Sequence, residues 1–139
     1  MSDNSCTAKS GLSAVYDRNV HTVASHLPLK LTVPLGACAA DERSELNPID
    51  LMALGLASCM LIVMGKVAVA EKLDMLGATA DVSYGLEDYR ITAFNVHIHL
   101  PKKLAAQDQT KLEAASKDCP LSLAIHPDVM VSVSFDWPK

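Results

Sequence analysis

Four cysteines carry the redox-capable chemistry of this chain: Cys6, Cys38, Cys59 and Cys119. No two are spaced as Cys-x-x-Cys and no Cys/His knuckle accompanies them, so a structural zinc site is not expected. In a reducing compartment a disulfide framework is not expected either, and any disulfide here would be transient and catalytic. Cys59 lies within the apolar run "DLMALGLASCMLIVMGKVAV" (50–69). A buried free cysteine behaves as a small hydrophobe. Apolar surroundings also raise its pKa and suppress the thiolate, which is the nucleophilic form. On residue type alone Cys59 reads as packing unless a cation lies close by. Lys66, seven residues on, shares its helix face but is about two turns away, so an arginine from elsewhere would have to serve. Cys119 precedes Pro120 and sits at a predicted helix start. There the helix dipole and free N–H groups favour a thiolate, although a cysteine that merely occupies an N-cap is an equal reading. Cys6, in a polar tail, and Cys38, in a Gly/Ala loop, read as incidental thiols.

Two histidines invite a different chemistry. His97 and His99 lie at i and i+2 of a predicted strand and could hold a metal. Their face is the predicted outer one and no third ligand is indicated, so they read as solvated side chains. His21, His26 and His126 fall into no pattern.

The elements that position these residues follow from hydropathy patterning. The chain has 139 residues, half of them hydrophobic but only 4% aromatic. That predicts a single domain with an aliphatic core, residues 11–139, behind a loose tail at 1–10. A net charge of −4 without a basic stripe argues against nucleic acid as a partner. No secretory signal is visible, and the longest apolar run, 51–65, is shorter than the roughly 20 residues a membrane span needs. A soluble cytoplasmic protein is the expectation. Strands are predicted at 12–17, 19–25 and 29–33, the last ending at Pro34. Asn47, Pro48 and Asp50 make a strong helix start, with the helix running to about Leu73 and Gly77 beyond it. Alternation at 78–87 and 90–100 predicts two more strands joined by a turn at 87–89. Helices follow at 105–118 and 119–126, and a strand at 129–135 closes the chain. The order β-β-β-α-β-β-α-α-β indicates an α+β fold with mainly antiparallel sheet. The long helix is apolar nearly all round, and one sheet covers only one of its faces. A second copy of the chain is the expected cover, with Gly55 and Cys59 as small residues that would let two such helices approach.

Three stretches resemble the OsmC/Ohr family, the osmotically inducible protein C and organic hydroperoxide resistance proteins. They are "NPIDLMALGLASCM" (47–60), with a cysteine twelve residues after Asn-Pro; "CPLS" (119–122); and the closing strand "DVMVSVSF" (128–135). The two cysteine motifs stand in the family's order, 60 residues apart. The resemblance implies an intertwined homodimer with antiparallel sheets wrapped around long central helices. It also implies a cysteine-based peroxidase that reduces organic hydroperoxides, and hydrogen peroxide as a lesser candidate. In that reading Cys59 is the peroxidatic thiol, Cys119 the resolving one, and an external dithiol the reductant, with no metal or other cofactor. In the hydroperoxide resistance branch a glutamate follows Asn-Pro, where this chain has Ile49. Asp50, one position later, is the candidate orienting carboxylate, although nine residues place it opposite Cys59 on a straight helix. A capping role for Asp50 fits equally. Arg18 is the first candidate for the stabilising cation and Arg43 the second; Arg90 starts a strand. Two other functions share these residues: a cysteine-pair redox sensor, and a small-ligand-binding dimer that has lost the chemistry.

Overall fold

The computed structural model describes residues 12–18, 21–26, 30–36 and 46–139. The chain folds as two compact units, Met1–Leu51 and Met52–Lys139. In the first, β1 (Leu12–Arg18), β2 (His21–His26) and β3 (Leu31–Gly36) form an antiparallel sheet in that spatial order. The third strand does not stop at Pro34 as predicted: Pro34 pairs with Val23 and the strand continues to Gly36. Proline lacks a ladder donor, but β3 lies at the edge of its sheet, where one side needs no partner. The tail at 1–10, with Cys6, lies outside the described residues, as do Cys38 and Arg43.

Helix α1 (Pro48–Ala70) begins where the sequence places it. Asp50 N–H donates to Asn47 Oδ1 at 2.9 Å, and Asn47 N–H donates to Asp50 Oδ2 at 3.0 Å. This is a reciprocal capping box that satisfies donors the helix start would otherwise leave open. The helix ends earlier than Gly77 suggests. Lys72 adopts a left-handed conformation (φ 57), Leu73 N–H donates to the Ala68 carbonyl at 2.7 Å and Lys72 N–H to that of Val69 at 3.3 Å. These are the bonds of a Schellman stop, with lysine in the position glycine usually takes.

The second unit continues with β4 (Thr79–Glu87) and β5 (Arg90–His99), an antiparallel hairpin whose two turn residues, Asp88 and Tyr89, both have positive φ. That backbone twist matches the twist of the paired strands. A Cβ at Gly85 would stand 2.6 Å from Thr92 Oγ1, so beside the register shift at Gly85/Leu86 a larger residue would have to displace that hydroxyl. Helices α2 (Ala106–Ser116) and α3 (Pro120–Ala124) follow, then β6 (Met130–Asp136). Strand β6 pairs with β5 in parallel, giving the order β4-β5-β6. The α+β class and the predicted element order hold, and three of the four strand pairings are antiparallel. The parallel one is the exception within the mainly antiparallel sheet that was expected: a two-helix crossover returns the chain to the same end of the sheet, which a tight turn cannot do.

The largest side chains wholly withdrawn from solvent in this unit come from α1 (Leu56, Met60, Met64), β5 (Phe94, Val96, Ile98) and α2 (Leu112). This is a helix-on-sheet core, aliphatic apart from Phe94. Helix α1 is not covered on every side within one chain, because Leu51, Met52, Leu54, Ile62 and Val69 are all more than 40% exposed. Its 23 residues include an 18-residue window of mean hydropathy 2.0, so by length and composition it could cross a membrane. The 15-residue run read from the sequence understated it. Ala53, Leu56, Ala57, Met60, Met64 and Ala68 nevertheless form a continuous buried stripe at helical spacing, as in the core helix of a globular unit.

Candidate active site

The site is built from α1 outward. Gly55 and Cys59 are four residues apart and share one helix face. Helix α3 of the same chain lies against that face: a Cβ placed on Gly55 would stand 3.6 Å from Leu121 Cδ1. The Gly55/Cys59 step, read from sequence as room for a second helix, thus admits the start of α3. Cys119 is the N-cap of α3 and is completely buried, with Pro120 fixing the first turn behind it. The Cys119 carbonyl accepts from Leu123 N–H at 3.2 Å and from the Ser122 hydroxyl at 3.0 Å, which locks the turn. The result brings the two cysteines together. Cys59, half-buried, lies close enough to Cys119 and to the backbone of Leu121 for both to act on its pKa. Both thiols are free. A bond between them needs a sulfur separation of roughly 2.05 Å, a closer approach than a hydrogen bond.

Electrostatically Cys59 is poised towards the thiol. Burial pushes the Cys59 pKa up, and the hydrogen bond and charge of Cys119 push it further. The Leu121 N–H opposes this by stabilising the thiolate, and Lys66 adds a weaker through-space attraction. Lys66 therefore acts on Cys59 across the helix turns without touching it.

The remaining predicted residues are placed less completely. Asp50 is engaged with Asn47 in the capping box described above. Arg18 closes β1, but its side chain lies outside the described residues, as does Arg43 altogether. Arg90 is exposed at the start of β5, paired with Glu87 across the hairpin. Sequence reasoning missed Leu121, whose backbone N–H reaches Cys59. The "CPLS" motif held the signal, since a proline after a cysteine starts a turn whose next free N–H belongs to Leu121. It also missed a partner for the histidine pair: Asp136 of β6 reaches His99, with Oδ2 3.4 Å from Nδ1.

No curated protein sequence matches this chain. Solved structures do. A protein of Psychrobacter arcticus 273-4, named for osmotic stress induction and a detoxification response, superposes with a TM-score of 0.84 at 25% identity, over 94% of this chain and 98% of the other. An organic hydroperoxide resistance protein OsmC of Legionella pneumophila gives 0.70 at 24% identity, over 95% and 99%. The organic hydroperoxide resistance protein OhrB of Bacillus subtilis gives 0.68 at 22% identity, over 94% and 98%. The family model for OsmC-like proteins matches residues 40–134, which include Cys59, Cys119 and the elements from α1 into β6. The sequence motifs, the element order and these likenesses agree: the chain belongs to the OsmC-like protein family.

Proposed function

We propose that the protein is a thiol peroxidase that reduces organic hydroperoxides through Cys59 and Cys119. The observation that supports this reading is the influence of Cys119 on the Cys59 thiol, with Cys119 as the N-cap of α3, whose Leu121 lies against the Gly55 face of α1. The Cys59 thiolate attacks the outer peroxide oxygen and the O–O bond breaks. Sulfur is oxidised to the sulfenic acid, and the leaving alkoxide takes a proton to become the alcohol. Cys119 then attacks the sulfenic sulfur, forming the disulfide and releasing water, which protects Cys59 from further oxidation. An external dithiol returns both cysteines to thiols and becomes a disulfide itself. The apolar side chains around Cys59 favour a hydrophobic peroxide over a strongly hydrated one. Arg18 is the proposed cation and Asp50 the proposed orienting carboxylate. A second copy of the chain is proposed to cover the exposed apolar side chains of α1. A cytoplasmic location is part of the same proposal.

The test is consumption of cumene hydroperoxide with dithiothreitol as reductant. Wild type should turn over many times, Cys59→Ser should not, and Cys119→Ser should accumulate oxidised Cys59 after one turnover. Equal rates in wild type and Cys59→Ser would sink the proposal. The raised pKa of Cys59 favours one alternative, a small-ligand-binding dimer that has lost the thiol chemistry. Failure of peroxide to oxidise Cys59 at all would select it.

A further inference from the structure

The outer face of the β4–β5–β6 sheet carries a second cluster that the thiol chemistry does not use. Strand alternation places His97 and His99 together on that face of the central strand β5. The parallel pairing sets Asp136 of β6 opposite His99 and Ser134 opposite His97. The antiparallel pairing sets Asp81 of β4 opposite His97, diagonal to His99. We propose that His97, His99 and Asp136 form a binding site for a borderline divalent transition cation such as Zn²⁺.

The geometry has the features of a two-histidine, one-carboxylate site. One ligand atom from each of the three residues lies within 4.8 Å of the others. Tetrahedral zinc with bonds of about 2.0–2.1 Å has ligand–ligand edges of roughly 3.4 Å. The edge from His99 Nδ1 to Asp136 Oδ2 already measures 3.4 Å. The longest remaining edge must shorten by roughly 1.4 Å to reach that value. Rotation of side chains that are 41% and 68% exposed supplies this without moving backbone.

The outer partners of such a site are present as well. His99 Nε2 lies 3.1 Å from Asp81 Oδ2, so a proton on Nε2 is held by a carboxylate and Nδ1 is left as the electron-pair donor. A carboxylate behind a ligating imidazole fixes its tautomer and raises its basicity. Ser134 Oγ hydrogen-bonds Nδ1 of His97 and fixes that ring. The two imidazoles meet edge to face with centroids 4.3 Å apart, close enough for a shared ion. Two nitrogen donors and one carboxylate suit Zn²⁺, Co²⁺ or Ni²⁺ better than Ca²⁺ or Mg²⁺, which take oxygen donors. Three protein ligands leave a coordination position open to water or to a further group.

The experiment is titration of the reduced full chain with Zn²⁺ alone, read by competition with a chromophoric chelator, and with Co²⁺ alone, read by its visible spectrum. One equivalent per chain is expected, with a cobalt spectrum free of thiolate charge-transfer bands. His97→Ala, His99→Ala and Asp136→Asn should each weaken Zn²⁺ binding at least tenfold, and Asp81→Asn, acting through His99, by roughly tenfold. The Cys59→Ser, Cys119→Ser double variant should bind as the wild type does. Thermal melts of the metal-free variants check that these exposed substitutions leave the fold intact. Zn²⁺ binding that survives His99→Ala, that is lost with the cysteines, or that is absent altogether would overturn the proposal.

Discussion

Gly55 offers a sharp test of how α3 is seated on α1. Glycine inside a helix costs about 1 kcal/mol relative to alanine, because the chain gives up more backbone freedom on folding. In many helices such a glycine is kept because a methyl group would collide with a neighbour. Here a Cβ would stand 3.6 Å from Leu121 Cδ1, an ordinary van der Waals contact. Gly55→Ala should therefore stabilise the protein by about 1 kcal/mol, which for a chain of this size is a rise in Tm of roughly 4 °C. Gly65→Ala is the companion substitution. Among the described residues nothing beyond the local helix backbone and chain neighbours lies within 4 Å of a methyl group there, so its gain measures helix propensity without a packing neighbour. The assay is differential scanning calorimetry on reduced protein at one fixed concentration, since an associating chain has a concentration-dependent Tm. The alkylation rate of Cys59 should be unchanged in Gly55→Ala. Gly55→Leu is the contrasting perturbation: its longer side chain must displace Leu121, so it should lower Tm and alter Cys59 reactivity together. A fall of several degrees in Gly55→Ala, with Gly65→Ala behaving as expected, would refute the reasoning. It would mean that something bulkier than Leu121 occupies the Gly55 face, such as a second long helix.

Two other expectations follow from the same geometry. The pH profile of Cys59 alkylation should have its midpoint above the value of about 8.5 for an unperturbed thiol, and Cys119→Ala should move it down by removing two of the influences that raise it. Because the folded-state pKa is the higher one, the associated stability is fully present below the unfolded value and is lost as pH rises through the folded value. A midpoint below about 8 in wild type, or an upward move in Cys119→Ala, contradicts this account. Separately, Asn47→Ala and Asp50→Ala should each cost about 1 kcal/mol in urea denaturation, because each breaks one half of the capping box. An Asp50→Ala variant of unchanged stability would remove the capping role. A loss of hydroperoxide turnover at temperatures where that variant stays folded would assign Asp50 an orienting role as well.

Much of this fold was legible in local signals. Asn47-Pro48-x-Asp50 announces a helix start because the backbone donors there need side-chain partners within three residues. The alternation along 90–100 marked the buried face of β5, with Phe94, Val96, Ile98 and Leu100 inward. Boundaries were harder where a residue acted against its type. Pro34 sits within a strand because the strand is an edge, and Lys72 stops a helix in the left-handed conformation that glycine usually supplies. The direction of β6 was not legible at all, since alternation along a strand is the same whether it runs parallel or antiparallel.

The sequence by itself determined the family, the element order and the two cysteines worth attention, because these rest on residue type and spacing along the chain. Only the tertiary structure decided what touches what. It brought Cys119 to Cys59 across 60 residues, filled the Gly55 face with Leu121, and added the Leu121 N–H and the Lys66 charge to the forces acting on the Cys59 thiol. It also supplied the His97/His99 pair with the carboxylate that the linear sequence did not offer, because strand register fixes the neighbours of a side chain and register is set by the packing of the whole sheet.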